Sequence, residues 1–89
     1  MLKISRKVEY ALIALRHLQG LKKEELASAK ELASAYGVPK ELLAKVLQRL
    51  AKKNIIDAVK GPHGGYRLAI DPESMMLTEF FEVIEGPMG

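Results

Sequence analysis

Residues 28–56 read SAKELASAYGVPKELLAKVLQRLAKKNII, and this stretch decides the fold of the 89-residue chain. It opens with a capping box, in which the Ser28 hydroxyl can accept the amide of Glu31 while the Glu31 carboxylate accepts the amide of Ser28. The box predicts a helix of about eight residues that Gly37 ends, because glycine tolerates the left-handed backbone that follows many helices. We expect three side chains of this helix to face the core: Leu32, Ala33 and Tyr36.

A second, longer helix is predicted after a very short turn. Only Gly37 and Val38 precede Pro39, whose fixed φ suits the first turn of a helix. Apolar side chains recur along one stripe of this helix, at Leu42, Leu43, Val46, Leu47 and Leu50. The remaining positions are expected to face outward: Lys40, Glu41, Ala44, Lys45, Gln48, Arg49, Lys52 and Lys53. A short helix, a glycine turn and a longer helix with a cationic face predict a helix-turn-helix at about residues 28–53.

The residues after Asn54 predict a β-hairpin at about residues 55–69. Residues 55–60 are β-branched and roughly alternating, GPHGG at residues 61–65 supplies a turn, and residues 66–69 resume as a strand. A hairpin directly after the second helix of a helix-turn-helix is the arrangement of a winged helix-turn-helix.

Helices are predicted on both sides of this unit. Apolar residues recur at three- and four-residue steps from about residue 5 to 19, with Ser5 as N-cap and Gly20 as the stop. Asp71-Pro72 predicts a turn or a short helical stretch. Thr78 is expected to cap a last helix at about residues 78–85, which Gly86-Pro87 ends and which offers Phe80, Phe81 and Ile84 to the core. The fold class is therefore mainly α with a small β-hairpin, in one domain over residues 1–89.

Composition narrows the function further. No apolar run approaches the roughly 18–20 residues that cross a bilayer, and the N-terminus is charged where a signal peptide is apolar, so we expect a cytoplasmic protein without membrane contact. The chain has no cysteine, which excludes a disulfide or a cysteine metal site within it, and its two histidines make a poor metal cage. No serine, threonine or lysine has a sequence neighbour that would activate it as a nucleophile, so we predict that the protein is not an enzyme.

Charge is distributed unevenly along the chain. All 14 basic residues and six of the 11 acidic residues lie at or before Arg67, which gives that part a formal charge of +8. Residues 68–89 carry the other five acidic residues and no basic one, a formal charge of −5. Such a basic part is typical of an ordinary solvated surface or of a surface that faces a polyanion. Its location on a helix-turn-helix favours double-stranded DNA as the partner.

The predicted second helix carries side chains suited to reading bases in a major groove. A helix-turn-helix presents the first turns of its second helix to base edges, while surrounding cations and amides bind phosphates. Lys40 and Lys45 can donate to guanine, Gln48 can pair with adenine, Glu41 can accept from cytosine, and Ala44 can approach a thymine methyl. The wing tip can lie over phosphates or enter a minor groove, since glycines permit close backbone approach and the Lys60 cation is attracted there.

Four segments of the chain also carry a family resemblance. They are KISRKVEYAL at residues 3–12, the helix-turn-helix at 28–56, VKGPHGGYRLA at 59–69 and LTEFFEVIEGP at 77–87. In this order they resemble the Rrf2 family of bacterial transcription regulators, which includes iron-sulfur-cluster, nitric-oxide-sensing and cysteine-metabolism repressors. The wing pattern G-P-x-G-G-Y-x-L at residues 61–68 is the most specific of them.

The resemblance implies a homodimer that binds a palindromic operator, with the second helix reading bases and each wing in a minor groove. It places Ser5, Arg6 and Tyr10 near phosphates and Lys60 in the minor groove. Pro39 stands where members often have serine, and His63 stands where a small residue is frequent. The whole predicted DNA interface comprises Ser5, Arg6, Tyr10, Ser28, Pro39, Lys40, Glu41, Ala44, Lys45, Gln48, Lys60, Gly61, His63, Gly64 and Gly65.

The sequence departs from the family beyond the position of Gly86-Pro87. Family sensors carry three cysteines there, followed by a long dimerisation helix, and some supply a carboxylate ligand from the position of Glu9. We therefore expect no cofactor and no metal in this chain. Either these residues are the N-terminal, DNA-binding part of a longer protein, which alone could hold an iron-sulfur cluster, or the chain is a shortened relative that has lost sensing, and we favour the longer protein. Two alternatives to a DNA-binding repressor stay open: a winged-helix protein-interaction module, and the DNA-binding fragment of a longer iron-sulfur redox sensor.

Overall fold

The structure is a computed structural model that describes residues 5–86. Within these residues the elements are α1 (Arg6–Gln19), α2 (Ala29–Tyr36), α3 (Lys40–Lys52), β1 (Ile56–Val59), β2 (Gly65–Leu68), a 3₁₀ turn (Pro72–Ser74) and α4 (Leu77–Glu85). The order and the element types confirm the predicted winged helix-turn-helix. In the described part of the chain, no helix has the length and apolar character needed to cross a membrane.

Helix α1 begins and ends where the sequence predicts. Ser5 is its N-cap, and the Ser5 hydroxyl accepts the amide of Val8 at 3.3 Å. Gly20 follows its last residue, and the Gly20 amide donates to the carbonyl of His17 at 3.1 Å. Because α1 packs against α3, α4 and β2, its buried surface is wider than a single apolar stripe. The helix therefore buries Val8, Tyr10, Ala11, Ala14, Leu15 and Leu18.

Helix α2 is set by the capping box and the glycine turn. The Ser28 hydroxyl accepts the amide of Glu31 at 3.0 Å, and the Glu31 carboxylate accepts the amide of Ser28 at 3.1 Å. Gly37 ends the helix with a φ of 63°, in the left-handed region that favours glycine. Both predictions are confirmed, and only three residues separate the end of α2 from the start of α3.

Gly37→Ala tests how far this turn depends on glycine. We expect the free energy of unfolding to fall by about 1 kcal/mol, because an alanine Cβ is disfavoured in left-handed backbone although nothing lies within 4 Å of its position. Gly20→Ala is the matched control, since its φ of −84° suits any residue. Urea unfolding followed by circular dichroism measures both variants. Equal stabilities for the two variants would contradict a conformational role for Gly37.

Helix α3 begins one residue later than the sequence predicts. Pro39 is its N-cap, with a φ of −62° and a ψ of 123°, so its backbone is extended and not helical. The Pro39 carbonyl still accepts the first amide bond of the helix, from Leu43 at 3.0 Å. Four of the five predicted core residues of α3 are buried, at Leu43, Val46, Leu47 and Leu50, and Leu42 is half-buried.

Tyr36 differs from the prediction that its side chain faces the core. It is 45% exposed, and its hydroxyl lies 2.8 Å from His17 Nδ1 at the end of α1. The two rings meet edge to face, with centroids 5.6 Å apart. Tyr36 is the last residue of α2. Its ring packs against His17 near the carboxyl end of α1 and does not enter the core.

Helix α4 closes the core on the side of α1 and α3. Phe80 and Ile84 are buried, and Phe81 is half-buried, as the sequence predicts. The predicted N-cap is wrong, because the helix begins at Leu77 and Met76 precedes it. The Glu79 carboxylate accepts the amide of Met76 at 3.1 Å, which satisfies the first turn without Thr78. Gly86 flanks the last residue of α4, and Pro87 lies outside the described residues.

Candidate nucleic-acid interface

Helix α3 exposes a polar face to solvent, and its opposite face is apolar and buried in the core. Lys40, Glu41, Lys45 and Gln48 are exposed, and Ala44 is half-buried between them. The opposite face is fixed by fully buried leucines, with Leu47 and Leu50 both 0% exposed. The predicted base-reading side chains therefore lie on one exposed surface of α3, and the buried leucines on its other side resist rotation of the helix about its own axis. Pro39, at the start of the helix, is exposed as well.

The wing follows α3 directly. The Ile55 amide donates to the Leu50 carbonyl at 3.0 Å, and the chain then enters β1. The strands β1 and β2 are antiparallel, with Val59 opposite Gly65 at the tip. Lys60, Gly61 and His63 are exposed in the connecting loop, where the Gly64 amide donates to the Gly61 carbonyl at 3.0 Å. Gly61 has a φ of 120°, which favours glycine.

A backbone bridge ties the wing to the first helix of the helix-turn-helix. The Tyr66 amide donates to the Ala27 carbonyl at 2.7 Å, and the Ala27 amide donates to the Tyr66 carbonyl at 3.1 Å. Ala27 directly precedes Ser28, the N-cap of α2. The wing position is therefore fixed relative to α2 by two hydrogen bonds. The sequence does not predict this bridge, since a single alanine outside a strand carries no pairing signal.

The glycines of the wing fit tightly against backbone. A Cβ on Gly64 would clash with the Val59 carbonyl oxygen, and one on Gly65 would lie 2.8 Å from the carbonyl group of Ala27. Both residues are half-buried. Gly64 and Gly65 therefore have a packing role that places the wing, in addition to any approach to a phosphate.

Four residues of the predicted DNA interface lie on or beside α1 and α2, and their surroundings differ. Arg6 is exposed at the start of α1. Ser5 is exposed, and its hydroxyl donates to the Glu85 carboxylate. Ser28 is half-buried in its capping box. Tyr10 is 5% exposed and packs in the core, so the structure disagrees with a phosphate contact through its side chain. The cause is the wide buried face of α1, which includes position 10 as well as position 11.

Arg49 departs from its predicted outward position. Its guanidinium donates through Nε to the Val83 carbonyl and through Nη2 to the Gly86 carbonyl, the latter at 2.7 Å. The side chain is half-buried between α3 and the end of α4. A sequence signal for this contact exists in E-G-P at residues 85–87, because Pro87 lacks the amide that would otherwise bond the Val83 carbonyl.

The residues present do not fit an iron-sulfur cluster or another metal ion. Among residues 5–86, no three histidine, aspartate or glutamate side chains lie close enough to share an ion, and the chain has no cysteine. Glu9 is exposed on α1. His17 contacts Tyr36, and His63 lies in the wing loop.

Comparison with known proteins agrees with this geometry. The sequence model of the Rrf2 family, described as an iron-dependent transcriptional regulator, matches residues 4–89. A putative HTH-type transcriptional regulator of Aquifex aeolicus is 38% identical over 76 residues, which are 85% of this chain and 52% of that protein. The HTH-type transcriptional regulator IscR of Cereibacter sphaeroides is 34% identical over 86 residues, 94% of this chain and 56% of that protein.

A solved structure shares the fold closely. CymR, the global cysteine regulator of B. subtilis, superposes with a TM-score of 0.85 at 29% sequence identity, over 98% of this chain and 67% of that chain. The chain spans about half the length of the curated relatives it matches, at 52% and 56% of the first two.

Proposed function

Because the chain belongs to the Rrf2 family of transcriptional regulators, we propose that it binds a specific operator in double-stranded DNA and represses transcription by occupying it. The observation that carries the proposal is the free polar face of α3, which presents Lys40, Glu41, Lys45 and Gln48 above a closed core. The protein then acts in the cytoplasm by binding and not by catalysis.

The proposed binding mode uses three parts of the molecule. The first turns of α3 enter a major groove, where Lys40 and Glu41 meet base edges. Lys60 and the exposed wing loop reach the adjacent minor groove, whose negative potential attracts the cation. Arg6, exposed at the start of α1, binds a phosphate.

We further propose that the full-length protein binds a palindromic operator as a homodimer. Support comes from apolar side chains that remain outside the core on α1 and beside α4, where Leu12 is 40% and Met76 is 67% exposed. A two-fold dimer would place its two reading helices about one DNA turn apart, near 34–36 Å. Light scattering of the free protein and footprinting on a selected duplex test both statements. A monomer that protects a single half-site would contradict them.

An iron-sulfur cluster would need cysteines from outside these 89 residues, because the described carboxylates and histidines do not converge. We therefore propose that DNA binding by this chain is independent of a cluster.

Salt dependence and two variants test the DNA interface. A duplex selected by the protein from random sequences should be bound with a log–log salt slope of roughly −0.9 for each phosphate contact. Lys40→Ala should reduce the preference for this duplex over a scrambled one by about 1–3 kcal/mol, and Arg6→Ala should weaken both about equally while the slope falls by about one. Fluorescence anisotropy between about 50 and 200 mM salt measures these values.

Two results would contradict the proposal. If no duplex binds even at low salt, the DNA function is wrong and the winged-helix surface serves another partner. If Lys40→Ala weakens selected and scrambled DNA equally, Lys40 binds a phosphate and does not read a base.

A further inference from the structure

The carboxyl end of α4 has a hydrogen-bonding requirement that its own backbone does not meet. The last carbonyls of a helix have no amide partner within the helix. The partner of the Val83 carbonyl would be the amide of residue 87, which is proline and has no N–H. The Gly86 amide bonds the Glu82 carbonyl at 2.8 Å, so it is not available to Val83. Within residues 5–86, the donor that the Val83 carbonyl receives comes from another element.

Arg49 of α3 supplies that donor. Its Nε donates to the Val83 carbonyl, and its Nη2 donates to the Gly86 carbonyl at 2.7 Å. A guanidinium presents several donors in a fixed plane, so two bonds to neighbouring carbonyls define the direction of the side chain. Its positive charge also complements the negative end of the α4 dipole. The half-buried contact is thus directional, and it joins α3 to α4 in addition to their apolar packing.

The same turn of α4 also contacts α1. The Ser5 hydroxyl, at the N-cap of α1, donates to the Glu85 carboxylate. Arg6, the proposed phosphate ligand, is the next residue. The last turn of α4 is therefore hydrogen-bonded both to α3, whose exposed face carries Lys40 and Glu41, and to the start of α1 beside Arg6.

We propose that Arg49 is a positioning residue for operator recognition. By holding α3 to the carboxyl end of α4, it fixes the direction of the reading helix, so that Lys40 and Glu41 meet the bases while Arg6 meets the backbone. Arg49 acts through α3 and does not touch DNA itself, since its donors are turned to the Val83 and Gly86 carbonyls. This inference rests on the proposed DNA-binding function. It gives Arg49 a role in sequence specificity although Arg49 contacts no base.

Three variants of the full 89-residue chain separate positioning from charge. Arg49→Gln removes the charge and one of the two donor directions, and Arg49→Lys keeps the charge but lacks the planar fork. Lys52→Gln is the matched control, because Lys52 is an exposed cation on the same helix. Affinity is measured by anisotropy for a fluorescent duplex selected by the wild-type protein and for a scrambled duplex of equal composition. Circular dichroism fixes a temperature at which each variant is folded.

We expect Arg49→Gln to bind the selected duplex roughly tenfold more weakly, because a smaller fraction of molecules holds α3 in the competent direction. Its affinity for the scrambled duplex and its salt slope should stay at the wild-type values, since the phosphate contacts are unchanged. Arg49→Lys should bind the selected duplex about threefold more weakly than the wild type. This variant serves as the test if Arg49→Gln does not fold. Lys52→Gln should change the affinity for the selected duplex and for the scrambled duplex by the same factor.

Other outcomes overturn the inference. Equal losses on the two duplexes with a shallower salt slope would make Arg49 a phosphate ligand, and equal losses with an unchanged slope would make it a stability residue only. Wild-type affinities for the selected duplex in both Arg49 variants would leave it without a role in recognition. Each of these results requires that the wild-type protein binds DNA, so a failure of the proposed function is seen separately as the absence of wild-type binding.

Discussion

Leu47→Ala should lower the free energy of unfolding by about 3–5 kcal/mol. Leu47 is 0% exposed at the centre of the buried face of α3, so the truncation leaves a cavity that the surrounding helices cannot fill without moving. Small domains have a total stability of about 5–15 kcal/mol, so this variant approaches the limit of folding at 37 °C. The midpoint of thermal unfolding should fall by more than about 10 °C.

Leu12→Ala is the control for this prediction. Leu12 lies on α1 and is 40% exposed, so at protein concentrations at which the chain is monomeric the same change in chemistry removes little buried surface and should cost less than about 1 kcal/mol. Calorimetry and urea unfolding compare the two variants. Similar losses of stability would show that the apolar face of α3 is not the centre of the core.

The sequence predicts the helix-turn-helix well because its signals are local. The Ser28 and Glu31 pair, the left-handed Gly37 and the leucine stripe of α3 each act within one or two turns of the chain. The structure confirms the order of elements, the capping box and the exposure of Lys40 and Glu41. Pro39, expected in the first turn of α3, is instead its extended N-cap, because the fixed φ of proline suits both positions.

The contacts that the sequence does not predict join residues far apart in the chain. Two examples are the backbone bridge between Ala27 and Tyr66 and the hydrogen bond from Arg49 to the Val83 carbonyl. Both form only when the elements pack together. Tyr10 is buried because α1 packs on three elements, whereas periodicity alone describes one stripe. These long-range contacts determine where the wing and α3 lie. The sequence therefore predicts which residues form the interface better than it predicts where they are placed relative to one another.

Gly65→Ala should detach the wing from the helix-turn-helix. The added Cβ would lie 2.8 Å from the carbonyl carbon and oxygen of Ala27 and 3.1 Å from the amide nitrogen of Ser28. All three are backbone atoms, so the methyl group fits only if β2 moves away from Ala27, and the paired bonds between Ala27 and Tyr66 at 2.7 and 3.1 Å are then lost. We expect a loss of about 2–3 kcal/mol in unfolding free energy and a DNA affinity roughly tenfold lower.

Two controls separate the effect of Gly65 on wing placement from other causes. Gly20→Ala adds a methyl group at an ordinary distance of 3.5 Å from the nearest atom, so it should leave both stability and DNA binding near the wild-type values. Lys60→Ala removes the wing cation, so it should reduce the salt slope by about one and leave stability unchanged. Amide exchange of Ala27 and Tyr66 then reports the bridge directly, since both amides are bonded in the native wing. Because the bridge fixes the wing beside the N-cap of α2, rapid exchange of both amides in Gly65→Ala should accompany the loss of affinity, and protected amides with weak binding would mean that Gly65 contacts DNA itself.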